Sequence, residues 1–173
     1  MTVRGGRTHS AVLVPLFQDA SGDLHAVFTR RRADLRSHAG EISFPGGRRD
    51  DGETLLQTAL REAEEEVGLP PDHVDVLGAL APVGTFVTNY AIYPFVGLIE
   101  PGFEWTAQET EVAEVLEFSL DALVEGHSIK RLVRRGMAFR TDVYEVGDHM
   151  VWGATARILG DLLFRTKGDP LLT

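Results

Sequence analysis

The stretch from Gly47 to Leu69 constrains the fold of this chain more than any other, because it carries its own helix start and stop signals. Its pattern predicts a helix that begins near Glu53 or Thr54 and ends at Gly68, a residue suited to the left-handed position after a helix. Two prolines follow and block continuation. At helical spacing one face is apolar and is expected to pack on the core, namely Leu56, Ala59, Leu60, Ala63 and Val67.

A second face of this predicted helix carries three carboxylates, Glu62, Glu65 and Glu66. Like charges one turn apart repel, and glutamates in the last turn oppose the helix dipole, each effect costing roughly 0.2–1 kcal/mol. A hard divalent cation such as Mg²⁺ or Mn²⁺ would offset this cost, because these ions take carboxylate oxygens as ligands. The alternative interpretation is a solvated acidic face.

The fixed residues of the stretch also stand at the spacing of a known signature. Their order is Gly47, five residues, Glu53, seven residues, Arg61-Glu62, a small apolar residue, any residue, Glu65-Glu66, any residue, Gly68 and Leu69. The stretch resembles the Nudix box at every fixed position. The resemblance implies an α/β/α sandwich with a mixed β-sheet, and an enzyme that uses Mg²⁺ or Mn²⁺ to hydrolyse the diphosphate of a nucleoside derivative. The order of predicted strands and helices is typical of the same α/β class.

The resemblance assigns metal-binding roles residue by residue. Glu65 and Glu66 match the principal metal ligands, and Glu62 matches the third carboxylate. The backbone carbonyl of Gly46 is the usual additional ligand. The bound metal would neutralise the diphosphate, activate a water molecule and stabilise the leaving phosphate.

Two further roles follow from the same resemblance. Arg61 and Glu53 match a pair whose salt bridge braces the glycine-rich loop against the helix. The general base varies among Nudix enzymes, so Glu65 or a glutamate from a loop could serve. Glu109, Glu111 and Glu114 are candidates for the base or an extra ligand. Glu111 is favoured because its place just before an apolar strand matches a late glutamate in similar enzymes.

The residues ahead of the box carry a finer resemblance. The run from Val27 to Arg32, Arg36, Gly40 and Phe44-Pro45-Gly46-Gly47 is similar to the signature that precedes the box in Nudix coenzyme A pyrophosphatases. Arg32 departs from it, because a small serine or alanine is usual there. The expected reaction is hydrolysis of coenzyme A or its thioesters to 4′-phosphopantetheine, or its acyl form, and adenosine 3′,5′-bisphosphate.

Candidate substrate-binding residues lie in and after this segment. Coenzyme A carries a diphosphate and a 3′-phosphate, so Arg31, Arg36 and His38 are expected to make charge-assisted phosphate contacts. Phe86 and Tyr90 could stack on adenine or line a channel for pantetheine. The alternatives are a Nudix pyrophosphatase for ADP-ribose or a dinucleotide, and a non-catalytic Nudix domain that senses a nucleotide.

Composition limits the classes of molecule that this protein is expected to bind. With 173 residues, one domain is expected over residues 1–173, with residues 1–9 as a flexible arm. A net charge of −9 argues against nucleic acid and anionic membranes as partners. The chain has no cysteine and no long apolar run, so we expect a cytoplasmic protein whose metal is held by oxygen or imidazole. The oligomeric state is left open.

Local patterns predict the remaining elements. A hairpin is expected from Ser10–Phe17 and Leu24–Arg30, since a polar loop with a glycine joins two apolar runs. Buried strands are expected over Val74–Val83 and Ile92–Ile99, with Pro94 at an edge or a bulge. Further predictions are a strand or turn at Glu111–Phe118, a short helix at Leu120–Gly126, a strand at Phe139–Val146 and a long helix at Val151–Phe164.

Overall fold

The computed structural model describes residues 8–85 and 88–167 of the chain. The strands are β1 (Thr8–Gln18), β2 (Leu24–Arg31), β3 (Ile42–Ser43), β4 (Gly46–Arg48), β5 (Asp75–Ala79), β6 (Val83–Gly84), β7 (Tyr90–Leu98), β8 (Val112–Ser119), β9 (His127–Arg134), β10 (Met137–Val146) and β11 (His149–Val151). The helices are α1 (Leu55–Val67), α2 (Leu120–Glu125) and α3 (Gly153–Thr166), and a 3₁₀ turn spans Pro71–His73.

The larger of two sheets is mixed. Its central path runs β3-β2-β1-β7-β5, with β4 beside β1, β6 beside β7 and β8 beside β2. β1 and β7 pair in parallel along their whole contact, from Thr8 with Tyr90 to Leu16 with Leu98. The other pairings are antiparallel, and the smaller sheet joins β11, β10 and β9.

Helices cover both faces of the mixed sheet. α1 packs through Ala59, Ala63 and Val67 on a buried cluster that includes Leu13 of β1 and Val27 of β2. α2 and α3 pack on the opposite face, where a larger cluster is built around β1, β2 and β8 and includes Phe28, Phe44 and Phe118. The predicted α/β/α sandwich with a mixed sheet is therefore confirmed.

Helix α1 begins and ends close to where its sequence predicts. Thr54 is the N-cap and forms a reciprocal capping box with Gln57, and Gly68 ends the helix at a φ of 73°. The predicted apolar face needs one correction. Leu55 rather than Leu56 packs on the cluster, and Thr58 is fully buried beside Ala59. Thr58 is tolerated there because its hydroxyl donates to Glu53 and to the Thr54 carbonyl, at 2.8 Å and 3.2 Å.

The prediction of a buried strand over Val74–Val83 is wrong. The segment is divided into β5 and β6, and every residue of β5 is exposed, with Leu77 at 53%. β5 lies at the edge of the sheet and has β7 as its neighbour, so its apolar residues cannot all be covered. Pro94 lies inside β7, opposite the gap between the two short strands, where its missing N–H leaves no ladder bond unmade.

The other element predictions hold to within a few residues. The β1–β2 hairpin, the strand before α2, and the helices α2 and α3 lie where their patterns place them. The segment after α2 forms the long β9–β10 hairpin, with Leu132 opposite Phe139. Of the expected N-terminal arm, residues 1–7 lie outside the described residues, and Thr8 and His9 begin β1. In the described part of the chain, no helix is long and apolar enough to cross a bilayer.

Candidate active site

The glycine pair at the start of the box lies against helix α1. The N–H of Gly46 donates to Oε2 of Glu66 at 3.3 Å. The β1–β4 pairing explains this direction. The backbone groups of Pro45 and Arg49 bond to β1, and those of Gly46 and Arg48, at the alternate positions, point away from β1. The N–H and carbonyl of Gly46 therefore face the carboxylates of α1.

Gly47 allows the closest approach between this strand and the helix. A Cβ at Gly47 would overlap the carboxyl group of Glu62, so a glycine is required for Glu62 to keep its position. A Cβ at Gly46 would instead overlap the backbone carbonyl of Ala11 and the side chain of Val12 in β1. One glycine thus makes room for a carboxylate, and the other makes room for the neighbouring strand.

Arg61 joins the box loop, residues 48–54 from the end of β4 to the start of α1, to the helix through several carboxylates. Its guanidinium forms a two-bond contact with Glu53, Nε to Oε1 at 2.6 Å and Nη2 to Oε2 at 3.2 Å. It also contacts Glu62 at 3.0 Å, Glu65 at 3.3 Å and Asp50 at 3.5 Å, and donates to the carbonyl of Arg48 at 3.1 Å. The predicted Arg61–Glu53 contact is present in the structure, and it is part of a wider network.

These contacts shift the pKa values of both partners in the direction of the charged forms. Hydrogen bonding from Arg61 lowers the pKa of Glu53 to about 2. The bond to Glu53 raises the pKa of Arg61 above its ordinary value, against the opposing effect of burial. The pair is therefore ionised throughout the physiological pH range.

Glu66 has the opposite environment. Burial, together with the nearby charges of Glu62 and Glu111, raises its pKa to about 8, and the bond from Gly46 only partly offsets this. Burial also raises the pKa of Glu62, although Arg61 acts against it. Glu111 adds to the negative charge around both groups, so the loop before β8 reaches the carboxylate face of α1.

The chemistry of these groups fits a hard divalent cation. The possible ligands are all oxygens, from Glu62, Glu65, Glu66, Glu111 and the Gly46 carbonyl, and they crowd negative charge around a partly buried carboxylate. Within residues 8–85 and 88–167, no three acidic or imidazole groups are already gathered at metal-binding distance. Glu62 and Glu65 are turned toward Arg61 instead, so their rotation would be needed to complete a metal site.

The basic loop, residues 31–41 from the end of β2 to the start of β3, closes beside these carboxylates. Nη1 of Arg31 lies 3.7 Å from Oε2 of Glu111, and its Nε donates to the carbonyl of Ser37. Arg36 is exposed and forms no ion pair with the residues the structure describes. His38 has a φ of 56° and its Nδ1 lies 2.8 Å from Glu41, so it contacts a carboxylate within the loop. Of the three predicted phosphate-binding residues, Arg31 is the one placed against the carboxylate site.

Arg32 has a structural role that its sequence position did not reveal. Its N–H donates to the carbonyl of Glu111, and its Nη1 donates to the carbonyl of Glu109 at 2.6 Å. Its guanidinium also pairs with Asp34 through two bonds. Arg32 therefore ties the basic loop to the segment that carries Glu111. Its departure from the usual small residue was the sequence signal available for this contact.

The remaining predicted residues lie farther from the carboxylate face. Glu114 pairs with Arg30 at 2.8 Å and lies 3.7 Å from His149, so this alternative to Glu111 is engaged elsewhere. Tyr90 opens β7 and pairs with Thr8 of β1, one strand away from the box loop, and its backbone N–H bonds to Thr85. Phe86 lies outside the described residues.

Residues 7–136 match the family described as NUDIX domain, which covers most of the chain and includes every part of this site. The chain belongs to the Nudix family. Nudix hydrolases generally use divalent cations such as Mg²⁺ or Mn²⁺, which prefer oxygen atoms like those of the carboxylates on α1.

Similar proteins in bacteria support the same assignment. The chain is 42% identical to a protein of Citrobacter koseri described as "Uncharacterized Nudix hydrolase NudL", over 95% of this chain and 85% of that protein. A protein of the same description in Photorhabdus laumondii is 41% identical, over 89% of this chain and 82% of the relative. The family match and these relatives make the chain a Nudix pyrophosphohydrolase, which confirms that it is an enzyme.

Solved Nudix structures share the fold. The MutT protein from Methanosarcina mazei Go1 aligns with a TM-score of 0.60 at 18% identity, over 97% of this chain and all of that chain (100%). The Nudix hydrolase RenU from M. smegmatis aligns with a TM-score of 0.59 at 23% identity, over 69% of this chain and 75% of that chain. At this identity the likeness concerns the fold alone.

Proposed function

We propose that this Nudix enzyme hydrolyses the diphosphate of coenzyme A or of its thioesters, in the presence of Mg²⁺ or Mn²⁺. The products would be 4′-phosphopantetheine, or its acyl form, and adenosine 3′,5′-bisphosphate. The observation that carries the proposal is the position of the basic loop, which brings the Arg31 guanidinium to 3.7 Å from Glu111. A loop with several cations beside a carboxylate site suits a ligand with three phosphates.

In this proposal the metal is held by Glu62, Glu65, Glu66 and the Gly46 carbonyl, with Glu111 as a further ligand or the general base. The bound cation supplies charge neutralisation at the diphosphate and lowers the pKa of water. Arg31 binds and orients the diphosphate for in-line attack, and Arg36 binds the 3′-phosphate. His38, which lies against Glu41, is proposed to contact the substrate at the far end of the loop. Tyr90 is proposed to contact the adenine ring.

The reaction balances without a covalent enzyme intermediate. The oxygen of water bonds to one phosphorus, the bond from that phosphorus to the bridging oxygen breaks, and the other phosphate leaves. The proton of water passes to a carboxylate, for which Glu111 is our candidate and Glu65 the alternative. Arg61 and Glu53 act through position, because their contact holds the box loop against α1.

A direct assay tests the substrate. The purified protein is incubated with coenzyme A and with ADP-ribose, each with Mg²⁺ or Mn²⁺, and products are separated by chromatography. We expect both products of coenzyme A cleavage, at a higher kcat/KM than for ADP-ribose. Rapid cleavage of ADP-ribose with no turnover of coenzyme A would show that coenzyme A is not the substrate.

Glu66→Gln tests the site in the same assay. Loss of a carboxylate ligand is expected to lower kcat at least about 100-fold while the circular dichroism spectrum stays unchanged. Glu64→Gln is the matched control, because Glu64 lies on the same turn but is exposed, and it should keep nearly full activity. Equal activity of the two variants would show that Glu66 does not take part in the reaction.

A further inference from the structure

A cavity of about 380 Å³ lies between the basic loop and the β9–β10 hairpin, in the size range of small-ligand sites. Its apolar lining includes Leu132, Phe139, Met150 and Trp152, and each of these side chains is only partly buried. The rings of Phe139 and Trp152 lie 6.4 Å apart, centroid to centroid. Four large apolar side chains thus face one open space instead of the protein core.

The charged groups at the rim of this cavity are already paired with one another. Arg134 contacts Glu41 at 3.3 Å, and His38 contacts the other oxygen of the same carboxylate at 2.8 Å. The guanidinium of Arg134 also lies over the ring of Trp152, 5.1 Å from its centroid. A phosphate at this rim would have to compete with Glu41 for both cations, so the cavity favours an uncharged ligand.

The cavity and the candidate active site are adjacent at the base of the basic loop. The N–H of Arg31 donates to the carbonyl of Glu41 at 2.9 Å, and the N–H of Gly40 donates to the carbonyl of Arg31 at 3.1 Å. Arg31 and Glu41 are therefore neighbours across a strand pair, about 5 Å apart. Arg31 contacts Glu111 on the side of the carboxylate site, whereas Glu41 lines the cavity.

We propose that this cavity binds the uncharged pantetheine arm of the substrate, with any attached acyl chain, an inference that rests on the function proposed above. A diphosphate bound beside Arg31 has one substituent on each side, and one of them can follow the loop into the cavity. The pantetheine arm is long, uncharged and rich in apolar carbon, so it matches the lining. The other substituent carries the 3′-phosphate and is left for the exposed Arg36.

Hydrolysis of two substrates by one variant tests this assignment. Coenzyme A contains the arm, and 3′-phosphoadenosine 5′-diphosphate keeps the diphosphate and the 3′-phosphate without it. Phe139→Ala is expected to raise KM for coenzyme A roughly tenfold, with little change in kcat, and to leave KM for the armless compound unchanged. Met137→Ala is the control, because Met137 lies on the same strand, is 69% exposed and does not line the cavity.

Two results would overturn the proposal. An equal rise in KM for both compounds would mean that Phe139 acts on the diphosphate or on the fold. No change for either compound would mean that the arm binds elsewhere. If the unmodified protein cleaves neither compound, the proposed function is wrong and the cavity is tested by binding alone.

Binding is measured through Trp152, since the chain has two tryptophans and Trp105→Phe leaves Trp152 as the sole reporter. Without added metal, coenzyme A is expected to change the fluorescence of this variant in a saturable way, and the armless compound is expected to change it much less. No response to coenzyme A, or equal responses to both compounds, would show that the cavity does not hold the arm.

Discussion

At the scale of single residues, one arginine contacts carboxylates on both the box loop and the helix of the site. Arg61 reaches the box loop through Glu53, Asp50 and the Arg48 carbonyl, and reaches the helix face through Glu62 and Glu65. Part of the repulsion among the glutamates of α1 is therefore offset from within the protein. A cation that draws Glu62 and Glu65 away would leave the Glu53 contact in place, because that contact uses Nε and Nη2.

Arg61→Lys tests the geometry of this contact. A lysine keeps the charge but cannot make the planar two-bond contact with Glu53, so the free energy of unfolding is expected to fall by about 1 kcal/mol. Urea denaturation followed by circular dichroism measures the change. Arg49→Lys serves as the control, since Arg49 is an exposed neighbour in the box loop, and it should leave the midpoint unaltered.

Glu53→Gln tests the charge on the other partner. The folded-state pKa of Glu53 is lowered, so its ionised form stabilises the protein above the ordinary carboxyl range, and this contribution is lost as the pH falls toward about 2. The protein is therefore expected to have a higher urea midpoint than Glu53→Gln at pH 7, and the gap should narrow at pH 3. A gap of the same size at both pH values would contradict the role of the Glu53 charge.

At the scale of secondary structure elements, the box works as a strand, a loop and a helix that fit together at two glycines. β4 approaches β1 at Gly46 and approaches α1 at Gly47. The two positions are adjacent in sequence but differ in what they accommodate. The atoms that crowd Gly46 include backbone atoms of Ala11 and Val12 in β1, whereas those that crowd Gly47 belong to the end of the Glu62 side chain.

Alanine at each glycine should therefore have a different effect. Gly46→Ala requires the backbone of two strands to separate, and we expect a loss of about 1–3 kcal/mol in the free energy of unfolding. Gly47→Ala only pushes the Glu62 carboxylate aside, so stability should change by less than about 1 kcal/mol. The displaced carboxylate should nonetheless lower kcat about 100-fold. Denaturation curves and steady-state kinetics on both variants distinguish these outcomes.

Elements with local signals were predictable from the sequence. The capping box at Thr54 and the left-handed Gly68 define α1 through residues that are neighbours in the chain. The exposure of β5 was not predictable in this way, because Val76 and Leu77 have the same local pattern in a central strand and in an edge strand. The contact of Arg32 with Glu109 joins residues 77 positions apart, so no local pattern contains it.

At the scale of the whole molecule, the two faces of the mixed sheet are covered by different helices. The carboxylate helix α1 packs on one face, and α2 and α3 pack on the other. The β9–β10 hairpin and β11 add the wall of the cavity, beyond the edge strand β3. The sequence placed the carboxylates well, because the box is a continuous segment. It left residues 127–150 without a role, because their partners in the basic loop are distant in sequence.

Metal binding should be visible as stability of the whole protein. A cation that binds only the folded state at about 100 times its Kd is expected to add about 2.7 kcal/mol to the free energy of unfolding. We therefore expect Mg²⁺ or Mn²⁺ to raise the Tm of protein previously treated with a chelator, and Glu66→Gln to lose most of this rise. A Tm that does not respond to either cation would argue against a metal site in the free protein.

The parallel pairing of β1 with β7 has a consequence for how the protein is made. Thr8 pairs with Tyr90 and Leu16 with Leu98, so each contact closes a loop of about 80 residues, and such distant contacts form slowly. β1 is also the strand against which Gly46 and Gly47 are held. During synthesis the complete box leaves the ribosome well before β7 does. The growing chain thus carries the carboxylates of α1 for some seconds before the sheet on which that helix packs is complete.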